Sequence, residues 1–475
     1  MYLRSRYGLW CGEPADVKVL TFCLSGQDRK KTCFRLQYRQ SSSNSMIDPI
    51  PNLKTLLNDG KSLPIENYPK KYPANIAIQY SGIRDFKRVF LSLGNDPTHI
   101  DSFITSATKF FRRNHFLMPD IDMAQWCLNL DGCFQQPAGL AMEDIMQFKP
   151  VSRVSVMECT GNQRFEKGHY GKQTTAFIRE STYNKLLRLL DPFQFPITIK
   201  LIISIIRGMG LTGGNLFDNG VFTGVKLFDV LEAHPLREDA RQLVFEGLDT
   251  GYDMLVQRMQ KRKIHYARSI DIRELKQYEP ILCYAMDGKP LSKSHGGPLR
   301  LIIPGMYGAE QVKWLGRIQA IPQDFTGYFQ KEYYGYKIDG KTVPVHEQRP
   351  KSMVIKVLKK NNCITAFGVA WRGLSPISKV EVSTDGMQTW APAHLLCREI
   401  DHSWLFWKYD VSGNVSGSLT FYPRVTCENG DQQPLNPGQY STVYGNNAVI
   451  SATVRLDNPW RTRWEKLSAM RKAAK

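Results

Sequence analysis

The stretch Glu158-Cys159-Thr160-Gly161-Asn162-Gln163-Arg164 is the most informative part of this chain, because several anion-binding motifs surround it in sequence order. A Gly-Asn pair favours a tight turn, and the following arginine brings a cation close to the sulfur of Cys159. A thiolate is a soft, strongly donating metal ligand. A metal that acts on small oxyanions would be held in this way, but the cysteine alone does not establish such a site.

Length and composition set the outer limits of this interpretation. A chain of 475 residues is too long for one compact core and predicts two or three domains. The net charge of +19 comes from Lys and Arg along the whole length and fits anionic ligands, nucleic acid or a basic surface. We expect no nucleic-acid partner, because no motif that reads RNA or DNA accompanies the charge.

The ten cysteines fall at irregular spacings, which disfavours both a disulfide framework and structural zinc. The first residues lack the apolar core and cleavage site of a secretory signal. Free thiols without an export signal indicate a cytoplasmic protein for the sequence as written.

One hydrophobic stretch, residues 175–210, raises the question of a membrane segment. Its most apolar part, residues 193–206, is interrupted by Lys200 and ended by Arg207, well short of the ~20 apolar residues that span a bilayer. We expect a buried helix and no membrane span, with an interfacial amphipathic segment as the alternative.

The chain divides into four segments. Residues 1–96 form an N-terminal extension that is rich in Ser, Asn, Pro and Lys near residues 40–75 and gives no clear pattern. In residues 97–345 short apolar strands alternate with helical patterns, such as a predicted helix at 227–233 and a predicted strand at 299–303. This alternation predicts an α+β fold.

Residues 346–460 change character and predict the second folded unit. Short alternating strands at 352–357, 377–382 and 449–454 are separated by turn residues. Regular short strands of this kind predict an immunoglobulin-like β-sandwich. Residues 461–475 form a basic C-terminal tail.

Three further motifs concentrate hydrogen-bond donors and cations. Phe111-Arg112-Arg113-Asn114-His115 combines two guanidiniums, an amide and an imidazole, which suits phosphate or another oxyanion. His295-Gly296-Gly297-Pro298-Leu299-Arg300 adds glycines that let backbone N–H groups approach a ligand. Gln311-Val312-Lys313-Trp314 adds another fixed cation. Taken singly, each motif also fits a solvated basic loop.

In this order, the motifs resemble those of the sulfite oxidase family of molybdenum enzymes, which includes assimilatory nitrate reductases. Asn219 to Val225 and Tyr444 to Val449 extend the resemblance, which runs from about residue 104 to residue 455. The bacterial branch without a fused haem domain looks most similar. The resemblance implies a molybdopterin-binding domain followed by a β-sandwich that mediates homodimerisation.

The resemblance also implies a molybdenum atom held by the dithiolene of one molybdopterin and by the sulfur of Cys159. Asp249 is the only anion among the implied cofactor-binding residues and would accept hydrogen bonds from the pterin ring. The residues implied to bind the pterin and its phosphate are Phe111, Arg112, Arg113, Asn114, His115, Asp249, His295, Arg300, Gln311, Val312 and Lys313.

For substrate, the family places arginines and a tyrosine near the metal. Arg113 and Arg164 occupy the arginine positions and would offset the negative charge of the oxyanion. Tyr333 aligns best with the tyrosine, and Tyr334 is a near competitor. The other tyrosines of this run fit an aromatic packing ribbon.

Several positions depart from the family pattern. Asp218 stands where a glycine is common, and Phe222 stands where a tryptophan is common. The hydrophobic stretch 175–210 is an insertion between two motifs, which leaves substrate access and docking of an electron partner open.

The resemblance implies a molybdopterin-dependent oxidoreductase that oxidises sulfite to sulfate. No haem motif is present, so we expect an external one-electron acceptor such as a cytochrome c. The same site could oxidise another sulfur compound or reduce nitrate or an organic oxide. From a different class, the chain could be a cofactor-free dimeric binding module.

Overall fold

Short strands make up most of the secondary structure in this computed structural model. It describes residues 17–25, 31–39, 49–50, 52–66, 77–79, 90–92, 97–116, 118–162, 216–251, 263–338, 341–413, 415–436 and 444–456. The strands are β1 (Val17–Ser25), β2 (Lys31–Arg39), β3 (Lys61–Leu63), β4 (Ala77–Gln79), β5 (Phe90–Ser92), β6 (Leu128–Gly132), β7 (Ala138–Leu140), β8 (Pro150–Glu158), β9 (Phe217–Lys226), β10 (Gln242–Gly251), β11 (Ile264–Asp271), β12 (Ile281–Met286), β13 (Lys289–Pro290), β14 (Arg300–Ile302), β15 (Leu315–Ile321), β16 (Gly335–Ile338), β17 (Lys341–Pro344), β18 (Lys351–Lys360), β19 (Cys363–Trp371), β20 (Ile377–Ser383), β21 (Ala391–Pro392), β22 (His394–Leu395), β23 (Leu405–Ser412), β24 (Ser418–Cys427) and β25 (Ala452–Arg455).

The helices of the described residues are short. The α-helices are α1 (Leu53–Leu56), α2 (Met142–Ile145), α3 (Leu227–Ala233) and α4 (Ile272–Leu275). Single 3-10 turns occur at Pro97–His99 and Lys293–His295, and a π-helical turn occurs at Phe329–Tyr333. The predicted helix at 227–233 is α3, and the predicted strand at 299–303 contains β14.

The region predicted to be α+β is mostly β, with few helices. Strand β12 explains the difference, because all of its residues are buried. A strand buried on both faces lacks the alternation of a half-exposed strand, so its short apolar run resembles a buried helix in sequence.

Two sheets form this middle region. One has the order β11-β10-β15-β6-β7, in which β15 and β6 are parallel, and the other has the order β13-β12-β9-β8 with β14 paired to β12. Side chains from both sheets, including Leu243 and Ile318 of the first and Leu282 and Leu301 of the second, share one apolar core. Burial of this core stabilises the two sheets against each other.

Two further sheets lie in the C-terminal part, with the orders β22-β23-β19-β18-β3 and β21-β20-β24-β25. Trp371 and Trp407 of the first sheet and Val380 and Phe421 of the second belong to one core. The predicted strands at 352–357 and 377–382 lie in β18 and β20, and only the end of 449–454 is strand, in β25.

A piece of the N-terminal segment belongs to this C-terminal core. Strand β3 pairs with β18, and the side chains of Leu63 and Ile65 pack into the core of these sheets. The domain boundaries expected from the sequence remain predictions.

Some sequence-based expectations fall outside the described residues. These are the hydrophobic insertion at 175–210, the substrate arginine Arg164 and the basic tail 461–475. In the part of the chain that the structure describes, no helix is long and apolar enough to cross a membrane.

Candidate active site

Cys159 lies in a tight turn directly after β8, as the sequence predicted. The Asn162 backbone N–H donates to the Cys159 carbonyl at 2.8 Å and closes the turn. The Cys159 N–H donates to the Leu216 carbonyl at 2.8 Å, and the Leu216 N–H donates to Asn162 Oδ1 at 3.0 Å. These bonds tie the cysteine to the segment that leads into β9.

A buried ion pair anchors the same turn. Glu158 and Lys351 have side-chain exposures of 1% and 0%, and Lys351 Nζ donates to Glu158 Oε1 at 2.8 Å. Asn162 Nδ2 donates to Oε1 at 2.9 Å, and Trp371 Nε1 donates to Oε2 at 2.9 Å. Since Lys351 and Trp371 belong to β18 and β19, the C-terminal sheet fixes the position of Cys159.

A pocket opens beside Cys159. It brings together most of the residues that the sequence assigned to the cofactor and metal, namely Phe111, Arg113, Asn114, His115, Cys159, Asp249, Arg300, Gln311 and Lys313. Tyr334, which the sequence indicated as the alternative to Tyr333, also lines the pocket. The remaining wall residues were not assigned to the site from the sequence, and they are Met157, Tyr266, Gly308, Ala309 and Trp314.

Four predicted residues do not line the pocket: Arg112, His295, Val312 and Tyr333. Val312 packs in the core shared by the two middle sheets. His295 contacts Arg300, whose Nη1 donates to the His295 carbonyl at 3.0 Å. The His295 Nε2 bonds the Ala107 carbonyl at 2.8 Å, and burial lowers the pKa of this imidazole to about 3.

The pocket wall carries two cations close together, Arg300, which is buried, and Lys313, which is half-buried. Arg300 begins β14, and burial lowers its pKa to about 10. Burial, followed by the charge of Arg300, lowers the pKa of Lys313 well below its usual range. Lys313 Nζ donates to Asn114 Oδ1, to the Ser294 carbonyl at 3.1 Å and to the Arg113 carbonyl at 3.4 Å. These partners are neutral oxygens, and the opposite charge that acts on Lys313 is that of Asp249.

Asp249 is the carboxylate on the pocket wall. It lies in an irregular part of β10, where the pairing register shifts between Glu246 and Thr250. Burial raises the pKa of Asp249 to about 7, although the charge of Lys313 acts in the opposite direction. Gly247, two residues before Asp249, leaves no room for a side chain, because a Cβ there would lie 2.8 Å from the Lys313 carbonyl oxygen.

Tyr334 lies on the pocket wall at the end of the π-helical turn. Its hydroxyl is 3.4 Å from His115 Nδ1, and burial raises its pKa well above the usual range. Tyr333 lies beside it with its ring edge-on to His115 at 5.0 Å and tilted against Tyr444 at 5.9 Å. The two tyrosines therefore differ in their access to the pocket.

The two departures from the family pattern have structural roles. Asp218 is buried, and its Oδ2 accepts the Phe111 N–H at 2.6 Å, which holds the first motif against β9. Phe222 is fully buried and packs edge-on against Phe110 at 5.9 Å. Both substitutions support the pocket.

Comparisons with known proteins agree with this geometry. Residues 115–184 and 202–329 match the oxidoreductase molybdopterin binding domain. The chain is 27% identical to mitochondrial sulfite oxidase of Rattus norvegicus over 415 residues, which cover 82% of this chain and 66% of that protein. The chain thus carries a molybdopterin-binding oxidoreductase domain and is similar to sulfite oxidases over most of its length.

Other similar proteins carry different names. It is 28% identical to an NADH nitrate reductase of Brassica napus over 65% of this chain and 34% of that protein. Its fold matches the crystal structure of the sulfane dehydrogenase SoxCD from Paracoccus pantotrophus with a TM-score of 0.58 and 16% identity, covering 89% of this chain and 96% of that chain. The chain thus spans 66% or less of the length of the two curated relatives.

The residues of the pocket fit the molybdopterin cofactor. Arg300 Nε is buried without a hydrogen-bond partner among the described residues, and its other donors meet carbonyl oxygens and the sulfur of Met157. A buried cation of this kind needs an anion, which a phosphate supplies. Gln311 Oε1 is a buried acceptor that also has no partner among the described residues, and it suits a ring N–H of the pterin.

Proposed function

We propose that the protein oxidises sulfite to sulfate. Sulfite and water give sulfate, two protons and two electrons, and the electrons leave one at a time to an external acceptor such as a cytochrome c. One observation carries this proposal: a single thiol, Cys159, shares a pocket with the cations Arg113, Arg300 and Lys313 and with one carboxylate, Asp249. These cations suit the phosphate of a cofactor and a small oxyanion substrate beside it.

In this proposal Cys159 binds the molybdenum of the cofactor, which when bound supplies the two-electron couple that oxygen-atom transfer to sulfur requires. Arg300 and Lys313 hold the cofactor phosphate, because their buried charges have no anionic hydrogen-bond partner among the described residues. Asp249 and Gln311 hold the pterin ring. Arg112, which is half-buried, and His295 support this cluster from outside the pocket wall.

Arg113 and Tyr334 bind the substrate anion in this proposal. The charge of Arg113 lowers the pKa of Tyr334, whereas burial raises it by more, so the phenol remains a hydrogen-bond donor at neutral pH. Arg164 adds a second cation, and Tyr333 is the alternative phenol. We favour Tyr334, because it lines the pocket and Tyr333 does not.

We further propose that the two C-terminal sheets form an immunoglobulin-like sandwich through which the chain dimerises. The shared core of these sheets supports the sandwich. The dimer rests on the family resemblance alone, and the mass of the purified protein in solution tests it.

Nitrate reduction is the second candidate, because a nitrate reductase is among the relatives with similar identity. Sulfite is favoured over nitrate because the relative that is similar over 82% of this chain is a sulfite oxidase. Assays of purified protein with sulfite, thiosulfate and nitrate, each coupled to a suitable electron acceptor or donor, separate the candidates.

The decisive test compares Cys159→Ser with a matched control, Cys363→Ser in β19. We expect the wild type and the control to bind molybdenum and oxidise sulfite, and Cys159→Ser to lose sulfite oxidation while it stays folded. Full activity of Cys159→Ser would contradict the proposal, as would a wild type that reduces nitrate and leaves sulfite unchanged. Wild-type protein without molybdenum from a host that makes the cofactor would favour a binding module.

A further inference from the structure

The π-helical turn Phe329–Tyr333 places Tyr334 on the pocket wall. The Tyr334 N–H donates to the Phe329 carbonyl at 3.2 Å, and the Gln330 and Lys331 N–H groups both donate to the Gly327 carbonyl at 3.0 Å. A π-helical turn is rare in proteins. Where one occurs, it often lies at a functional site. Contacts outside the turn hold it in place.

Strand β11 supplies those contacts through two consecutive residues. Arg268 is fully buried, its Nη1 donates to the Phe329 carbonyl, and its guanidinium lies 5.8 Å from the centre of the Tyr334 ring. Ser269 pairs with Gln330 in both directions: the Ser269 N–H donates to Gln330 Oε1 at 3.3 Å, and Gln330 Nε2 donates to the Ser269 carbonyl at 3.0 Å. The turn is thus docked on the strand.

Glu310 balances the charge of Arg268 from the opposite side. Arg268 Nε donates to Glu310 Oε1 at 2.9 Å, Arg268 Nη2 bonds the same oxygen, and both side chains have 0% exposure. Glu310 lies between Ala309 and Gln311, which both line the pocket. The ion pair therefore connects two parts of the wall: the loop that carries Gln311 and the turn that carries Tyr334.

A buried ion pair contributes little net stability compared with apolar residues of the same volume, because desolvation offsets the attraction. Stability alone therefore does not explain this pair. We propose that Arg268 and Glu310 are positioning residues that fix the hydroxyl of Tyr334 toward the bound oxyanion, an inference that rests on the proposed function of the pocket.

The test uses variants that avoid an uncompensated buried charge. Arg268→Met combined with Glu310→Met removes both charges at once, and we expect this double variant to fold. Arg268→Lys keeps the cation, so this variant should retain part of the activity that the double variant loses. Arg317→Met is the matched control, because Arg317 lies on β15, is paired with Asp131 at 2.7 Å and does not line the pocket.

The first readout is sulfite oxidation by the molybdenum-loaded enzyme. We expect kcat/KM to fall about 10- to 100-fold in the double variant, because a small displacement of a substrate-binding group costs this much. In a Tyr334→Phe background the same double change should cost less than about twofold, because the hydroxyl that it positions is already gone. Equal losses in both backgrounds would show a general structural role and overturn the proposal.

The second readout needs no turnover. Hydrogen exchange of the amides in residues 327–334 should become about tenfold faster in the double variant and stay unchanged in Arg317→Met. Faster exchange without sulfite oxidation by the wild type would mean that the proposed substrate is wrong and the positioning role is right. Unchanged exchange in the double variant would overturn the positioning role itself.

Discussion

Two buried ion pairs flank the pocket, and they differ in how completely they are bonded. Glu158 and Lys351 lie behind Cys159, and Arg268 and Glu310 lie behind Tyr334; none of these side chains is more than 1% exposed. Glu158 accepts hydrogen bonds on both carboxylate oxygens. Glu310 accepts them on Oε1, and its Oε2 has no partner among the described residues.

This difference separates a fixed side of the pocket from an adjustable one. A saturated buried network holds its members in one arrangement, whereas an unpaired buried acceptor leaves room for an alternative bond. We infer that the metal-ligand side has one geometry, set by the C-terminal sheet. The Arg268–Glu310 pair holds the tyrosine side in the native protein, but this side can adjust to a substitution with fewer lost hydrogen bonds.

The largest expected effect comes from breaking the fixed side. Lys351→Met leaves the Glu158 carboxylate buried without its cation, which should lower the free energy of unfolding by about 3–5 kcal/mol. Urea unfolding followed by circular dichroism measures the change. The control is Lys360→Met, which breaks an ion pair whose side chains are 60% and 57% exposed and should cost at most about 1 kcal/mol. Equal urea midpoints for Lys351→Met and Lys360→Met would contradict the role of the Glu158–Lys351 pair in fixing this side of the pocket.

A smaller effect should distinguish the two carboxylates directly. Glu158→Gln and Glu310→Gln both remove a charge opposite a buried cation. In Glu158→Gln the amide nitrogen, itself a donor, meets another donor in either orientation of the amide. It faces Trp371 Nε1 in one orientation and Lys351 Nζ and Asn162 Nδ2 in the other. In Glu310→Gln the amide oxygen can take the place of Oε1, and the nitrogen takes the unpaired position.

We therefore expect Glu158→Gln to lower the free energy of unfolding by about 1–3 kcal/mol more than Glu310→Gln. Denaturant unfolding of both variants, measured side by side with the wild type, gives the difference. A larger loss for Glu310→Gln would reverse the assignment of the fixed and adjustable sides.

The sequence predicted the elements whose pattern is local. Helix α3 and strands β18 and β20 match because their apolar residues follow helical or alternating periods. The middle region has fewer helices than its α+β pattern predicted, because doubly buried strands such as β12 lose the alternation. Strand β3 was missed, because its partner β18 lies nearly 300 positions later, with Leu63 opposite Val357.

In the candidate site too, local motifs could be predicted from the sequence and long-range contacts could not. Residues 111–115 and 311–313 were found as contiguous motifs that matched a family pattern, and most of them line the pocket. The two ion pairs were missed, because their partners are 193 and 42 positions apart and a single sequence gives no sign of such contacts. The choice between Tyr333 and Tyr334 depends on the π-helical turn, which changes which side chain faces the pocket and has no sequence signal here.

The smallest effect concerns Asp249 and the pH dependence of stability in the cofactor-free protein. Burial raises the pKa of Asp249 to about 7, so between the ordinary value of 3.8 and this value the folded protein keeps a proton that the unfolded chain has released. The free energy of unfolding contributed by this group is therefore highest at low pH. It falls by about 1.4 kcal/mol for each pH unit in this range.

Asp249→Asn removes this titration, so the stability of the wild type relative to the variant should fall as the pH rises from 5 to 6.5. Denaturant unfolding at several pH values, on protein from a host without molybdopterin synthesis, measures the slope of this difference.

Asp385→Asn is the control: hydrogen bonds from the Thr389 side chain and backbone hold the pKa of the exposed Asp385 well below its usual range. Asp385 is thus ionised in both states between pH 5 and 6.5, and its replacement should change stability by an amount independent of pH. A flat difference for Asp249→Asn would mean that the carboxylate is already ionised when folded, with Lys313 as its charged partner, and that the pocket holds its charge balance without the cofactor phosphate.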